Sequence, residues 1–142
     1  MHEASVVTCF LIRRTPQRDE VLVLRRSDRV ATYRGRWAGV SGYLEGASPL
    51  EHAYREIEEE VGLDRDDLRL LAELKPWTFD DESIGMRWTV YLFLFEALRP
   101  EKVRLDWEHT ESRWVRPDEV AGLETVPGLA EGLATLYRGR KR

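Results

Sequence analysis

REIEEEVGL, residues 55–63, is the stretch on which the fold turns: Arg55, Glu56, Ile57, Glu58, Glu59, Glu60, Val61, Gly62 and Leu63. The residues around it spell a capped helix. Ser48 suits the N-cap, Pro49 the first helical position, and Glu51 completes a Ser-x-x-Glu capping box. Gly62 suits the position just past the helix end. Leu50, Ala53, Tyr54, Ile57 and Val61 recur at spacings of three and four, which makes one apolar stripe. The pattern predicts a helix over residues 49–61.

Glu56, Glu59 and Glu60 share a second face, and His52 lies one turn before Glu56 on it. Side chains at these spacings are about 5–6 Å apart at Cβ. Two such charges repel by roughly 0.8 kcal/mol in water, or about 3 kcal/mol at an effective dielectric near 20. The helix C-terminus is also the negative end of the macrodipole, which disfavours acids. Arg55 is the one basic residue inside the helix and offsets part of this. A solvated acidic face is one explanation, as for most charge runs. A divalent-cation site is the other. Carboxylate oxygens suit Mg²⁺ or Mn²⁺, and a bound cation turns the repulsion into attraction. Mg²⁺ keeps positions open for water and phosphate oxygens, which points to phosphate chemistry.

The bulk numbers fit that reading. A chain of 142 residues with 42% hydrophobic content can fill one core, so a single domain over residues 1–142 is expected. The formal net charge of −4 argues against a nucleic-acid-binding module. Cys9 is the only cysteine, so neither a disulfide framework nor a cysteine zinc site is expected. The first residues lack the basic-then-apolar order of a signal peptide, and no apolar run is long enough to span a membrane. A cytoplasmic protein without membrane partners is the expectation.

Along the chain, residues 5–12 and 20–24 are rich in β-branched and aromatic residues and read as strands. A polar loop over 27–36 leads into the glycine-bearing WAGVSGYLEG, residues 37–46. Strands are expected at 68–74, at 88–97 (buried on both faces) and at 112–115. A helical turn is expected at 117–121 and a closing helix at 129–137. The order suggests an α+β or mixed α/β sandwich.

On these residues the chain resembles the Nudix hydrolase family. The family motif is Gly, five residues, Glu, seven residues, then Arg-Glu-aliphatic-x-Glu-Glu-x-Gly-aliphatic. Arg55, Glu56, Ile57, Glu59, Glu60, Gly62 and Leu63 match its second half at every specified position. RGRWAGVSGYLEG resembles the stretch leading into the motif, and Glu108 to Val115 the later acidic loop and strand. The first half departs from the pattern: the expected Glu falls on Ala47 and the expected Gly on Ser41. One residue missing between Glu45 and Gly46 would make Gly42 the shifted motif glycine. In the family, the Glu that Ala47 replaces helps hold the Arg and the first Glu of the motif.

The resemblance implies an α/β/α sandwich around a mixed β-sheet. It also implies Mg²⁺- or Mn²⁺-dependent cleavage of a nucleoside diphosphate linked to another moiety. Carried over position by position, Glu56, Glu59 and Glu60 take the places of metal ligands, with a backbone carbonyl near Ser41 or Gly42. Glu56 is also the candidate for orienting or deprotonating water, Arg55 braces a glutamate, and Glu108 or Glu111 assists from the later loop. The substrate would be a small nucleotide derivative: a nucleoside triphosphate, an ADP-ribose-like compound or a dinucleotide. Members of the family are often dimers, which leaves a homodimer open.

Other residues were weighed beside these. Arg25 and Arg26 end a strand, and alternation lets only one point inward to grip a phosphate through its planar fork. Trp77 and Phe79 are candidates for stacking on a base from a substrate-side loop. Asp80, Asp81 and Glu82 look like an exposed loop tip, and Trp37 like a core or loop anchor. His52 and His109 are weighed as acid/base groups, but a lone histidine is more often structural or merely exposed, so neither is assigned. Cys9 lies mid-strand and is expected to be buried and inert. Three rivals remain: a nucleotide sensor of the same fold without turnover, a partner-binding domain with a merely acidic helix, and isopentenyl diphosphate isomerase chemistry. Cys9 is a poor candidate for the cysteine that the last requires.

Overall fold

Thirteen residues, apolar on both faces from Cys9 to Ile12, build the central strand. In the computed structural model, which describes residues 1–46 and 48–141, β1 runs His2–Arg14 and pairs antiparallel with β2 (Asp19–Arg26). On its other side β1 pairs parallel with β7 (Met86–Ala97), so the sheet is mixed. Around this trio lie β3 (Trp37–Ala38) and β8 (His109–Val115) on β2, β4 (Val40–Tyr43) on β1, and β5 (Leu68–Glu73) and β6 (Trp77–Asp81) on β7. Helix α1 spans Pro49–Val61 and α2 spans Leu129–Arg138.

The alternation of β1 divides the core in two. Val7, Cys9 and Leu11 point to one face and pack with Ala53, Ile57 and Val61 of α1. Phe10 and Ile12 point to the other and pack with Leu129, Leu133 and Leu136 of α2. Both faces of the sheet are therefore covered by helix, which gives the three-layer α/β/α arrangement. Ile57 and Val61 are fully buried. Each contributes roughly 1.5–3 kcal/mol by leaving water, more than the repulsion between two neighbouring glutamates at intermediate dielectric.

α1 has the expected ends. The Ser48 hydroxyl accepts from the Glu51 N–H at 3.2 Å, and Gly62 closes the helix in the left-handed region at φ 79°. The capping box is only half made, because the Glu51 carboxylate turns outward to Arg65 at 2.6 Å. Three expectations are corrected. Residues 37–46 hold two short strands, which the glycines had hidden by interrupting the side-chain period. Residues 77–81 are a strand rather than a loop, and form a hairpin with β7. Asp80 and Asp81 are therefore not a free loop tip: Arg87 grips Asp80 at 2.7 Å, and the Tyr33 hydroxyl donates to Asp81 at 2.7 Å. β7 is buried on both faces only in its second half; its first half alternates.

One polar tie fixes where the site loop starts. Asp67 sits in a 3-10 turn after α1 with its side chain 2% exposed, and accepts from Lys102 at 2.7 Å and Arg99 at 3.0 Å. Both cations lie in the connection from β7 to β8. The Lys102 contact, helped by the Asp64 N–H and Arg99, holds the Asp67 carboxyl down at about 2, against an ordinary 3.8. A depressed acid stabilises the fold fully above its unfolded value, and that stability is lost as pH falls through the folded value. Asp67→Asn should therefore lower the melting temperature by several degrees at pH 7. In melts run from pH 7 down to pH 2, the gap to wild type should close below about pH 4. A constant gap across that range would contradict the assignment.

Candidate functional site

Helical spacing puts His52, Glu56 and Glu60 in one row along α1, facing β4 and the β7–β8 connection. The Glu56 carboxylate lies directly on the backbone of Gly42. A Cβ built there would come within 2.4 Å of its Cδ and 2.6 Å of Oε2. Only glycine admits that approach, so position 42 serves Glu56 sterically and also presents its peptide beside the carboxylate. His52 is buried, with Nε2 3.1 Å from Glu56 Oε1. The contact is close but lacks hydrogen-bond alignment, and neither ring nitrogen has a partner among the described residues.

Glu60 is the most enclosed acid of the row. It is 2% exposed, and neither oxygen has a hydrogen-bond partner among the described residues. Burial, then the neighbouring Glu56, then the charges of Glu108 and Asp106 push its carboxyl well above the usual range. Burial likewise raises Glu108, aided by Asp106 and Glu56. Cys9 lies fully buried beneath these acids. Burial first, then the Glu60 and Glu56 charges, keep its thiol protonated, which removes it as a nucleophile.

The β7–β8 connection brings the rest. The Ser27 N–H donates to the Glu108 carbonyl at 2.8 Å and anchors that loop to the end of β2. Asp106 Oδ1 accepts from the Glu108 N–H at 3.1 Å and lies 3.2 Å from His109 Nδ1. The pairing of β2 with β8 slips between Arg25 and Arg26, so His109 faces Arg26 and Glu111 faces Arg25. That irregularity turns His109 into the interior while Glu111, two residues on, stays outside. His109 Nε2 ends 3.6 Å from Glu60 Oε1.

Of the residues singled out in the sequence, the fold gathers Glu56, Glu60, Gly42 and Glu108. Glu59 and Arg55 stay on the exposed flank of α1, and Arg55 makes no hydrogen bond or ion pair among the described residues. Ala47 lies outside the described residues. Arg25 points away from the site, tied to the Gly35 carbonyl at 3.1 Å and to Glu111 at 3.2 Å, so the inward arginine is Arg26. Arg26 is held by the Thr32 carbonyl at 2.9 Å and lines a cavity of about 160 Å³. Trp37 is a core residue with the Arg113 guanidinium over its ring.

That cavity lies on the α2 face of the sheet. Trp77 and Phe79, with ring centroids 5.6 Å apart, form one wall; Tyr33, Tyr43 and Trp88 form another. Trp77 is fixed against Gly128 at the start of α2, where a Cβ would fall 2.7 Å from the indole. Tyr33 adopts φ 51° and is clamped by Asp81 and the Trp88 N–H; burial and the Asp81 bond push its hydroxyl up to about 12. Gly42, Arg26 and Glu108 also line the cavity, so the aromatic pocket opens onto the acids. An aromatic slot, one arginine and a row of buried carboxylates can seat a base, a phosphate and a cation in line. Sequence reasoning left His109 unassigned and passed over Asp106, because their closeness to Glu60 is purely tertiary.

Comparison with known proteins agrees with this fold. Residues 2–136 match the family model of the NUDIX domain. A nucleoside triphosphatase, NudI, from Escherichia coli is 28% identical over 109 residues, covering 70% of this chain and 74% of the relative. A Nudix hydrolase from M. smegmatis, RenU, superposes with a TM-score of 0.80 at 23% identity, over 97% of this chain and 86% of that one. A C. elegans Ap4A hydrolase in a binary complex also gives 0.80, at 17% identity, over 95% and 96%. At these identities the two structures speak for the fold.

Glu60 generates a pH prediction. A carboxyl raised on folding leaves the protein most stable below the unfolded value near 4.5, and stability is lost as pH rises through the folded value. In metal-free protein, Glu60→Gln should therefore raise the melting temperature at pH 7–8, and the gain should vanish towards pH 4. A variant that melts below wild type at pH 8 in EDTA would contradict this.

Proposed function

The chain belongs to the Nudix family of hydrolases and is an enzyme of its pyrophosphohydrolase class; from that premise we propose that it cleaves a diphosphate bond in a nucleotide by attack of water, with Mg²⁺ or Mn²⁺ bound at the acidic row of α1. The observation that carries the proposal is Glu60: a deeply buried carboxylate whose two oxygens have no partner among the described residues, beside Glu56 on a glycine backbone. Buried polar atoms of native proteins have partners, and a divalent cation would supply them here. Glu56, Glu60 and the Gly42 peptide would hold it, and Glu59 is the further candidate ligand that helix spacing offers. When bound, the cation neutralises phosphate charge and lowers the pKa of a water.

The chain's own residues do the remaining work. Arg26, fixed by Thr32, offers guanidinium hydrogen bonds to a phosphate entering the cavity. Trp77 and Phe79 stack on the base. Glu56, part-exposed, is the candidate to accept the proton of the attacking water. The aromatic walls keep bulk water from the base end. A nucleoside triphosphate is the first candidate substrate: the cavity offers a slot for one base, and the E. coli relative is described as a nucleoside triphosphatase. One observation favours a sensor without turnover, namely that Arg55 is exposed and unbraced among the described residues.

A release assay on nucleoside triphosphates, ADP-ribose and diadenosine polyphosphates, with Mg²⁺, Mn²⁺ or EDTA, decides. Metal-dependent release is expected, and Glu56→Gln should lower kcat by about 10²-fold or more without changing the far-UV circular dichroism. Undiminished activity in EDTA, or in both Glu56→Gln and Glu60→Gln, would contradict the site. Nucleotide-dependent stabilisation with no release would favour the sensor.

A further inference from the structure

Three groups at the inner end of the acidic row answer to no role given so far: the second face of Glu60, the imidazole of His109 and the carboxylate of Asp106. We propose that Glu60, Glu108 and His109 form a mixed nitrogen–oxygen position for a first-row transition ion such as Mn²⁺, which it binds in preference to Mg²⁺. The inference rests on the hydrolase reading above; what it adds is the imidazole ligand and the choice of metal.

Distances come first. One donor atom from each of the three residues lies within 4.8 Å of the other two, and His109 Nε2 is 3.6 Å from Glu60 Oε1. An octahedral ion with bonds of about 2.1 Å spaces its ligands about 3 Å apart when adjacent and about 4.2 Å when opposite. The triangle needs only small side-chain rotations to close on an ion.

The hydrogen bonding then fixes what faces that space. Asp106 Oδ1 already accepts from the Glu108 N–H, and as an acceptor it puts the proton of a neutral His109 on Nδ1, 3.2 Å away. Nε2 therefore presents its lone pair to Glu60. A carboxylate that donates nothing and accepts the far N–H of an imidazole is the usual support of a metal-binding histidine. The same Asp106 oxygen accepts from the Glu108 N–H, so one residue sets two of the three donors. Burial favours the neutral imidazole as well, with the Asp106 bond opposing.

The charges decide between a proton and a cation. Glu60, Glu108 and Nε2 are three acceptors around one space, and both Glu60 oxygens lack partners among the described residues. A single proton on Glu60 could satisfy the His109 lone pair but would bring nothing to Glu108, whose part-exposed carboxylate then relies on solvent. A divalent cation satisfies all three. Oxygen-only sites suit Mg²⁺, whereas an imidazole shifts preference along the first transition row.

The test uses the full chain, stripped with EDTA, then loaded with Mn²⁺ and read by electron spin-echo spectroscopy for directly bound ¹⁴N. Wild type should show imidazole coupling. His109→Asn should abolish it and weaken Mn²⁺ binding about tenfold or more, while Mg²⁺ binding changes by less than about twofold. Asp106→Ala, part-exposed and so gentler on folding, should weaken the coupling by leaving the Nδ1 N–H without its acceptor. His52→Asn should leave the coupling in place. Mn²⁺ bound without nitrogen coupling in wild type, or coupling that survives His109→Asn, would overturn the inference and leave the hydrolase reading intact. Failure to bind either Mn²⁺ or Mg²⁺ would overturn both.

Discussion

The carboxylates of Glu56 and Glu60 are forced together at the negative end of a helix, one above a glycine and the other out of water. Few arrangements in a protein are less favourable by themselves. Like charges repel, the helix dipole opposes them, and burial withdraws the water that would screen them. The rest of the structure can be read as what keeps them there. Ile57 and Val61 lie on the adjacent stripe of the same helix and are fully buried against Cys9, Leu11 and Phe95. Packing fixes the rotation of α1 about its axis, and that rotation aims the acids. At the helix end, Arg104 from the β7–β8 connection lies across Gly62, and its N–H donates to the Val61 carbonyl at 3.0 Å.

The sheet then divides the labour. Its α1 face carries the acids, and its α2 face carries an aromatic pocket. The two communicate at Gly42 and Glu108, which border both. A short strand with glycine at 42 lets the two sides meet without a side chain between them. On the far side, the Asp67 tie and the Ser27 N–H hold the two ends of the connection that delivers Asp106, Glu108 and His109. The site is therefore assembled from one helix, one glycine-bearing strand and one tethered loop.

How much of this was legible depended on how local the signal was. α1 could be read to its ends from Ser48, Pro49 and Gly62, because capping involves residues within a turn of each other. The long second half of β7 showed as an unbroken apolar run because both its faces are covered. β3 and β4 were not legible, since Gly39 and Gly42 carry no side chain to reveal a period of two. β6 read as a loop because Asp80 and Asp81 looked solvated; their partners, Arg87 and Tyr33, come from another strand and a distant loop. Glu51 looked like a capping residue until Arg65 competed for it. At the site, Glu56 and Glu60 stood out by spacing within one helix. The meeting of His109 with Glu60 depends on a slip in strand pairing that no local pattern announces.

The central claim is that the acids are crowded to hold a cation beside Gly42. Crystals grown with Mn²⁺ and measured on both sides of the manganese absorption edge test it most directly. The account predicts an anomalous peak within bonding distance of the Glu60 carboxylate, bordered by Glu56 on one side and by Glu108 and His109 on the other. A peak confined to the exposed flank at Glu58 and Glu59, or none at millimolar Mn²⁺, would contradict it.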